Sequence, residues 1–169
     1  MTGNSYGTVH PDAPEQLATF AFLVGKWKCK GKVKAEEGQW RTFTADWVGQ
    51  YILDGMAIGD EFRAVWDDGT LFKHGQNIRI YNVQQQSWRM KWIDALEATV
   101  ISQGTKELGG VKVNGSGICF HILHESGEIL RAQYINITDD SCQWHGSMLN
   151  EDDETWDEVM VIEATRDEE

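Results

Sequence analysis

Proline is nearly missing from this chain: Pro11 and Pro14 are its two prolines, and none follows. Proline cannot donate to a hydrogen-bonded ladder, so a long stretch without it suits a sheet with few free edges. Cysteine is scarce as well. Cys29, Cys119 and Cys142 are odd in number, far apart and without C-x-x-C spacing, which argues against a disulfide framework or a zinc site and for reduced thiols. No apolar run approaches the ~20 residues of a membrane-spanning helix. The opening MTGNSYGTVHPDAPEQ has neither the basic nor the apolar region of a secretory signal, so a cytoplasmic protein is expected. Positive charge is the last shortage, with 15 basic against 27 acidic residues and a net charge of −12. Residues 139–169 hold twelve of the acids and one base, Arg166. Such a field repels polyanions, and neither nucleic acid nor a membrane is expected as a partner. The acidic run Glu151-Asp152-Asp153-Glu154 lacks the spaced ligands and turn glycine of a calcium loop.

What is present fits one globular domain: 169 residues, 41% hydrophobic and 25% charged. Residues 12–166 are read as that domain, with 1–11 as a disordered N-terminus and 167–169 as an acidic tail. Asp12-Ala13-Pro14-Glu15 reads as a helix start. Leu17, Phe20, Ala21 and Val24 follow at helical spacing, and Gly25 ends the helix. From Lys26 the period becomes two: Lys26, Lys28, Lys30, Lys32 and Lys34 alternate with Trp27, Cys29, Gly31 and Val33. Further strands are predicted near 39–53, 56–66, 71–82, 87–94, 98–107, 111–123, 129–138, 141–149 and 155–165, separated by turn signals such as Asp54-Gly55, Asp67-Asp68-Gly69 and Gly109-Gly110.

About ten antiparallel strands in sequence order can form a sandwich or a closed up-and-down barrel. Closure would set the lysines of the first strand beside the acids of the last, where cross-strand pairs contribute roughly 0.2–1 kcal/mol each. That complementarity favours the barrel, although a homodimer interface could present the same pattern. The expected fold is all-β, a closed antiparallel up-and-down barrel with one short N-terminal helix.

The segment Phe22-Leu23-Val24-Gly25-Lys26-Trp27, a helix running into Gly-x-Trp on the first strand, resembles the calycin superfamily of lipocalins, fatty-acid-binding proteins and nitrobindins. The closer likeness is to a bacterial branch of lipocalin-like domains, which shares a hairpin like Trp47 to Gly55 and a later Trp-x-Asp, here Trp92-Ile93-Asp94. The resemblance implies a helix closing one end of the barrel and a pocket in its middle. It also implies an arginine packed on the first tryptophan, for which Arg166 is the candidate.

Basic residues serve as markers of the outer face. With Arg63 and Glu61 outside, Met56, Ile58, Asp60, Phe62, Ala64 and Trp66 point inward. Placing Lys73 and Arg79 outside turns Phe72, His74, Gln76, Ile78 and Ile80 inward. With Arg89 and Lys91 outside, Trp88, Met90, Trp92 and Asp94 point inward, and Gly115, Gly117, Cys119 and His121 are read as an inner face. The predicted lumen is lined by Trp27, Trp47, Tyr51, Phe62, Trp66, Gln76, Trp88, Trp92 and Trp144, which either fill the core or contact a ligand. Asp60, His74, Asp94, His121 and Tyr134 are the candidates for acid–base chemistry.

Three functions are weighed. The first is the binding of a small hydrophobic or aromatic molecule in a tryptophan-lined cavity. The second is a cofactor-free lyase, isomerase or cyclase acting on a polyketide-like, terpenoid or phenolic substrate through an inward Asp/His pair. The third, an interaction module, requires a filled barrel. No cofactor and no metal are expected: zinc and dinucleotide motifs are missing, and haem held through one histidine has no motif behind it.

Overall fold

The computed structural model describes residues 5–168; the expected disorder of 1–11 thus falls at 1–4 outside the described residues, as does Glu169 of the tail. Among the described residues, Tyr51 N donates to Tyr6 O (2.9 Å) and His10 N to Gly55 O (3.1 Å). A 3-10 helix over Glu15–Leu23 leads into eleven strands: β1 (Gly25–Lys34), β2 (Trp40–Ile52), β3 (Ala57–Trp66), β4 (Leu71–Asn82), β5 (Ser87–Asp94), β6 (Thr99–Gln103), β7 (Lys112–Asn114), β8 (Gly117–Leu123), β9 (Ile129–Ile135), β10 (Ser141–Leu149) and β11 (Trp156–Arg166). No described helix is long and apolar enough to cross a membrane.

Neighbours pair antiparallel in the order β6-β5-β4-β3-β2-β1-β11-β10-β9-β8-β7, and β6 also meets β8. Ten strands therefore close into a barrel, and β7 lies outside the ring as an extra strand along β8. The two closures differ. Between β1 and β11 seven residue pairs run from Trp27↔Arg166 to Val33↔Met160, whereas β6 and β8 share the single pair Gln103↔Ile122. The first closure follows the charge pattern: Lys30 sits opposite Glu163, Lys34 Nζ is 2.9 Å from Asp157, and Lys26 Nζ is 3.2 Å from Asp167.

The helix plugs one end. Leu17, Phe20 and Leu23 are its buried residues, a three-residue row that suits 3-10 geometry rather than the α-helical spacing of Leu17, Phe20, Ala21 and Val24 expected from the sequence. Pro14 stands at its N-cap, and no side chain caps it. The Phe20 ring meets Trp88 edge-on at 4.9 Å. At its C-terminal end a Cβ on Gly49 would lie 2.0 Å from the Leu23 carbonyl oxygen, so a glycine lets this end of the helix seat against β2. Arg166 locks the same corner: its guanidinium lies 4.2 Å from the Trp27 ring centroid. It donates to the carbonyls of Asp139 (2.6 Å), Val24 (2.9 Å) and Phe22 (3.0 Å).

Side-chain alternation holds as expected on β1, β3 and β5 and is reversed on two other strands. On β4 the inner face carries Gly75, Asn77 and Arg79 while Ile80 is exposed, because Asp60 on β3 faces Asn77 across the ladder and supplies a counter-charge for Arg79. His74 and Gln76 are therefore outside. Phe72 is partly buried against Phe43 and Trp66, on the far side of a bulge between Ala64 and Val65. The predicted strand 111–123 is a hairpin that reverses at Gly115 (φ +59°), and Ile118, Phe120 and Ile122 fill the core. Cys119 and His121 consequently face out. Met56, expected inward, sits in the turn before β3 and is exposed.

Candidate functional site

The lumen holds a cavity of about 200 Å³ between the helix-plugged end and the opposite rim. Its walls include Trp47, Phe62, Trp92, Trp144 and Tyr134 from the predicted set, joined by Phe120, Ile101, Ile122, Leu130 and Ile162. Lys73 and His124 mark the rim away from the helix. Room for the Trp92 indole exists because its diagonal neighbour across the β4–β5 ladder is Gly75, which pairs with Asp94; a Cβ there would lie 2.5 Å from the ring. An open groove of about 570 Å³ on the outer surface runs over β11, β1, β2 and β3, lined by Lys28, Lys30, Asp46, Arg63 and Glu163 among others. Its charged lining suits solvent, not an apolar guest.

The floor of the lumen is polar. Asp60, 1% exposed, receives Trp47 Nε1 at 2.6 Å and Asn77 Nδ2 at 2.9 Å on one oxygen. Its other oxygen forms an ion pair with Arg79 Nη1. Arg79, also 1% exposed, donates through Nη2 to the Tyr134 hydroxyl at 3.2 Å and rests 4.9 Å from the Phe20 ring centroid. Gln103 Nε2 donates to Asn77 Oδ1 at 3.0 Å. Burial lowers the pKa of Arg79, with the Tyr134 contact opposing that shift. Burial also pushes Tyr134 up to about 12, against the pull of Arg79. A group of that pKa is a hydrogen-bond donor at neutral pH and a poor base.

The other predicted site residues lie elsewhere. Trp27 donates from Nε1 to Leu23 O (3.2 Å). Trp88 packs on Phe20 and Tyr81, and Tyr51 is half-buried opposite Ile58. Trp66 stacks on Phe72 at 3.9 Å, with the Arg41 guanidinium 3.8 Å from its ring. These rings belong to the plug and the rim packing. Asp94 is inward but committed: Oδ1 accepts the N–H groups of Leu96 (2.9 Å) and Glu97 (3.1 Å), and Oδ2 faces Lys73 at 3.3 Å. Desolvation raises its pKa, yet those amides and the lysine outweigh it and hold it below the usual carboxylate range. His74 pairs with Glu61 on the outer face at 2.7 Å. His121 stacks on Trp156 and pairs with Leu108 O at 3.1 Å, again outside. Asn77 and Gln103 went unread in the sequence, and Arg79, taken as a marker of the outer face, is buried against Asp60; the available signal was the inward Asp60, which requires donors and a cation nearby.

No family model and no curated protein matches the sequence. Among solved structures, Rv2717c from M. tuberculosis is similar over 92% of this chain and 99% of its own, with a TM-score of 0.63 and 14% identity. The S-type phycobiliprotein lyase CPES from Guillardia theta is similar over 90% of this chain and 92% of its own, with a TM-score of 0.58 and 12% identity. At such identities the likeness is one of fold, a closed antiparallel β-barrel.

Proposed function

We propose that this protein is a calycin that encloses a small hydrophobic or aromatic molecule in its lumen. The observation that carries the reading is the cavity itself: aromatic and aliphatic walls around a few oriented polar groups, the composition of small-molecule sites. Its volume exceeds the ~150 Å³ that accommodates benzene in an apolar protein cavity, so one substituted ring fits. The hollow lumen argues against the filled barrel that an interaction module requires. The three cysteines are unpaired, which suits the reducing cytoplasm expected from the sequence.

The acid–base alternative has less to work with. Asp60 is held by three donors, Asp94 anchors a turn, Tyr134 is a weak base, and His74 and His121 lie outside the wall. Titration with one-ring aromatic compounds should quench tryptophan emission saturably, and Ile101→Phe, which narrows the lumen, should weaken that response. Absence of quenching by every compound would sink the reading.

A further inference from the structure

The polar floor has a direction. A carboxylate can only accept, so Asn77 must turn its amide nitrogen toward Asp60 and its carbonyl oxygen toward Gln103, which must then donate. Gln103 is left with a carbonyl oxygen that receives no hydrogen bond from a described residue. On the other branch Arg79, a donor only, occupies a lone pair of the Tyr134 hydroxyl. The Tyr134 proton finds no acceptor among the described residues. Two hydrogen-bonded branches thus run from one buried anion to the cavity wall, one ending in a donor and the other in an acceptor.

The charges, by contrast, are closed. Arg79 is matched by Asp60, and Lys73 at the rim faces Asp94 at 3.3 Å and Glu97 at 3.9 Å. An entering carboxylate would lose its hydration without meeting an uncompensated cation, inside a protein of net charge −12. A neutral carbonyl loses less hydration and accepts a hydrogen bond from the Tyr134 hydroxyl.

We infer that the ligand is a neutral, mostly apolar molecule with a carbonyl-type acceptor oxygen, which accepts a hydrogen bond from the Tyr134 hydroxyl at the floor of the lumen. This rests on the lumen being a ligand site, and the test separates the two claims. Acetophenone, cumene and benzoate share one ring and nearly one shape, and differ in carrying a carbonyl, no polar group and a charge. Calorimetry on the full chain should show acetophenone binding and benzoate binding at least tenfold more weakly. Tyr134→Phe should lower the affinity for acetophenone by about tenfold, the upper end for one hydrogen bond, and leave that for cumene unchanged. In the unmutated protein the carbonyl stretch of bound acetophenone should fall to lower frequency than in an alkane, a readout independent of how well the variant folds. An unshifted carbonyl, or benzoate binding as tightly as acetophenone, would overturn the inference while cumene binding kept the lumen reading intact. Failure of both cumene and acetophenone to bind would overturn both.

Discussion

Replacing Asp60 by Asn keeps the shape of the side chain and removes its charge. Arg79, 1% exposed, then stays cationic, because a guanidinium does not shed its proton in a protein. It keeps the Tyr134 oxygen and the Phe20 ring as partners. Orphaning one member of a buried ion pair costs about 3–5 kcal/mol, a large share of the ~5–15 kcal/mol that holds a domain folded. Arg79→Met should cost less, about 2 kcal/mol. The carboxylate it leaves behind still receives Trp47 and Asn77, and unlike Arg79 it can take up a proton. With both substitutions no charge remains to be compensated, so the double variant should be no less stable than Asp60→Asn alone, giving a coupling of at least ~2 kcal/mol. Urea unfolding followed by tryptophan emission and far-ultraviolet dichroism measures all four states, provided the slopes agree. Additive losses, or a cost for Asp60→Asn below ~1 kcal/mol, would refute the view that this pair is bound by mutual charge compensation.

The corner where the barrel meets its plug is predicted to be nearly as sensitive. Arg166→Ala removes a stacked cation and three hydrogen bonds to carbonyls, and should cost about 3 kcal/mol. Arg166→Lys should recover less than half, since an ammonium cannot reproduce the planar fork; a loss within ~0.5 kcal/mol for Ala would contradict the assignment. Asp94 makes the stability depend on acid. Its folded pKa lies below the usual value, so its contribution is present above the unfolded pKa of ~3.9 and is lost as pH falls through the lowered value. Asp94→Asn should therefore be less stable than the parent at pH ~7, with the gap closing below pH ~4; a gap independent of pH would contradict this.

Strand positions were legible because alternation and turn residues are local signals, and the lysines of β1 announced the β1–β11 closure, where Lys30 lies opposite Glu163 and Lys26 and Lys34 pair with Asp167 and Asp157. Faces were legible wherever basic residues are solvated, as on β3 and β5. The rule failed on β4, where Arg79 is drawn inside by Asp60 from another strand, a pairing no single-strand pattern contains. It failed again on β8 because the turn at Gly115 resets the phase, although the alternation of Ile118, Phe120 and Ile122 already carried the right answer. The site was half visible for the same reason. Trp47, Asp60, Phe62, Trp92, Tyr134 and Trp144 follow from type and phase. Asn77, Arg79 and Gln103 follow only from what Asp60 requires.

Gln103 holds two posts. It ends the relay that starts at Asp60, and its backbone makes the lone β6–β8 pair with Ile122, where the next residue, Gly104, also donates to His121 O at 2.8 Å. The seam with the fewest residue pairs is thus held by the residue whose side chain ends the relay from Asp60. A substitution that unsettles Gln103 therefore acts on two things at once, the polar floor of the lumen and the seam that closes the cylinder.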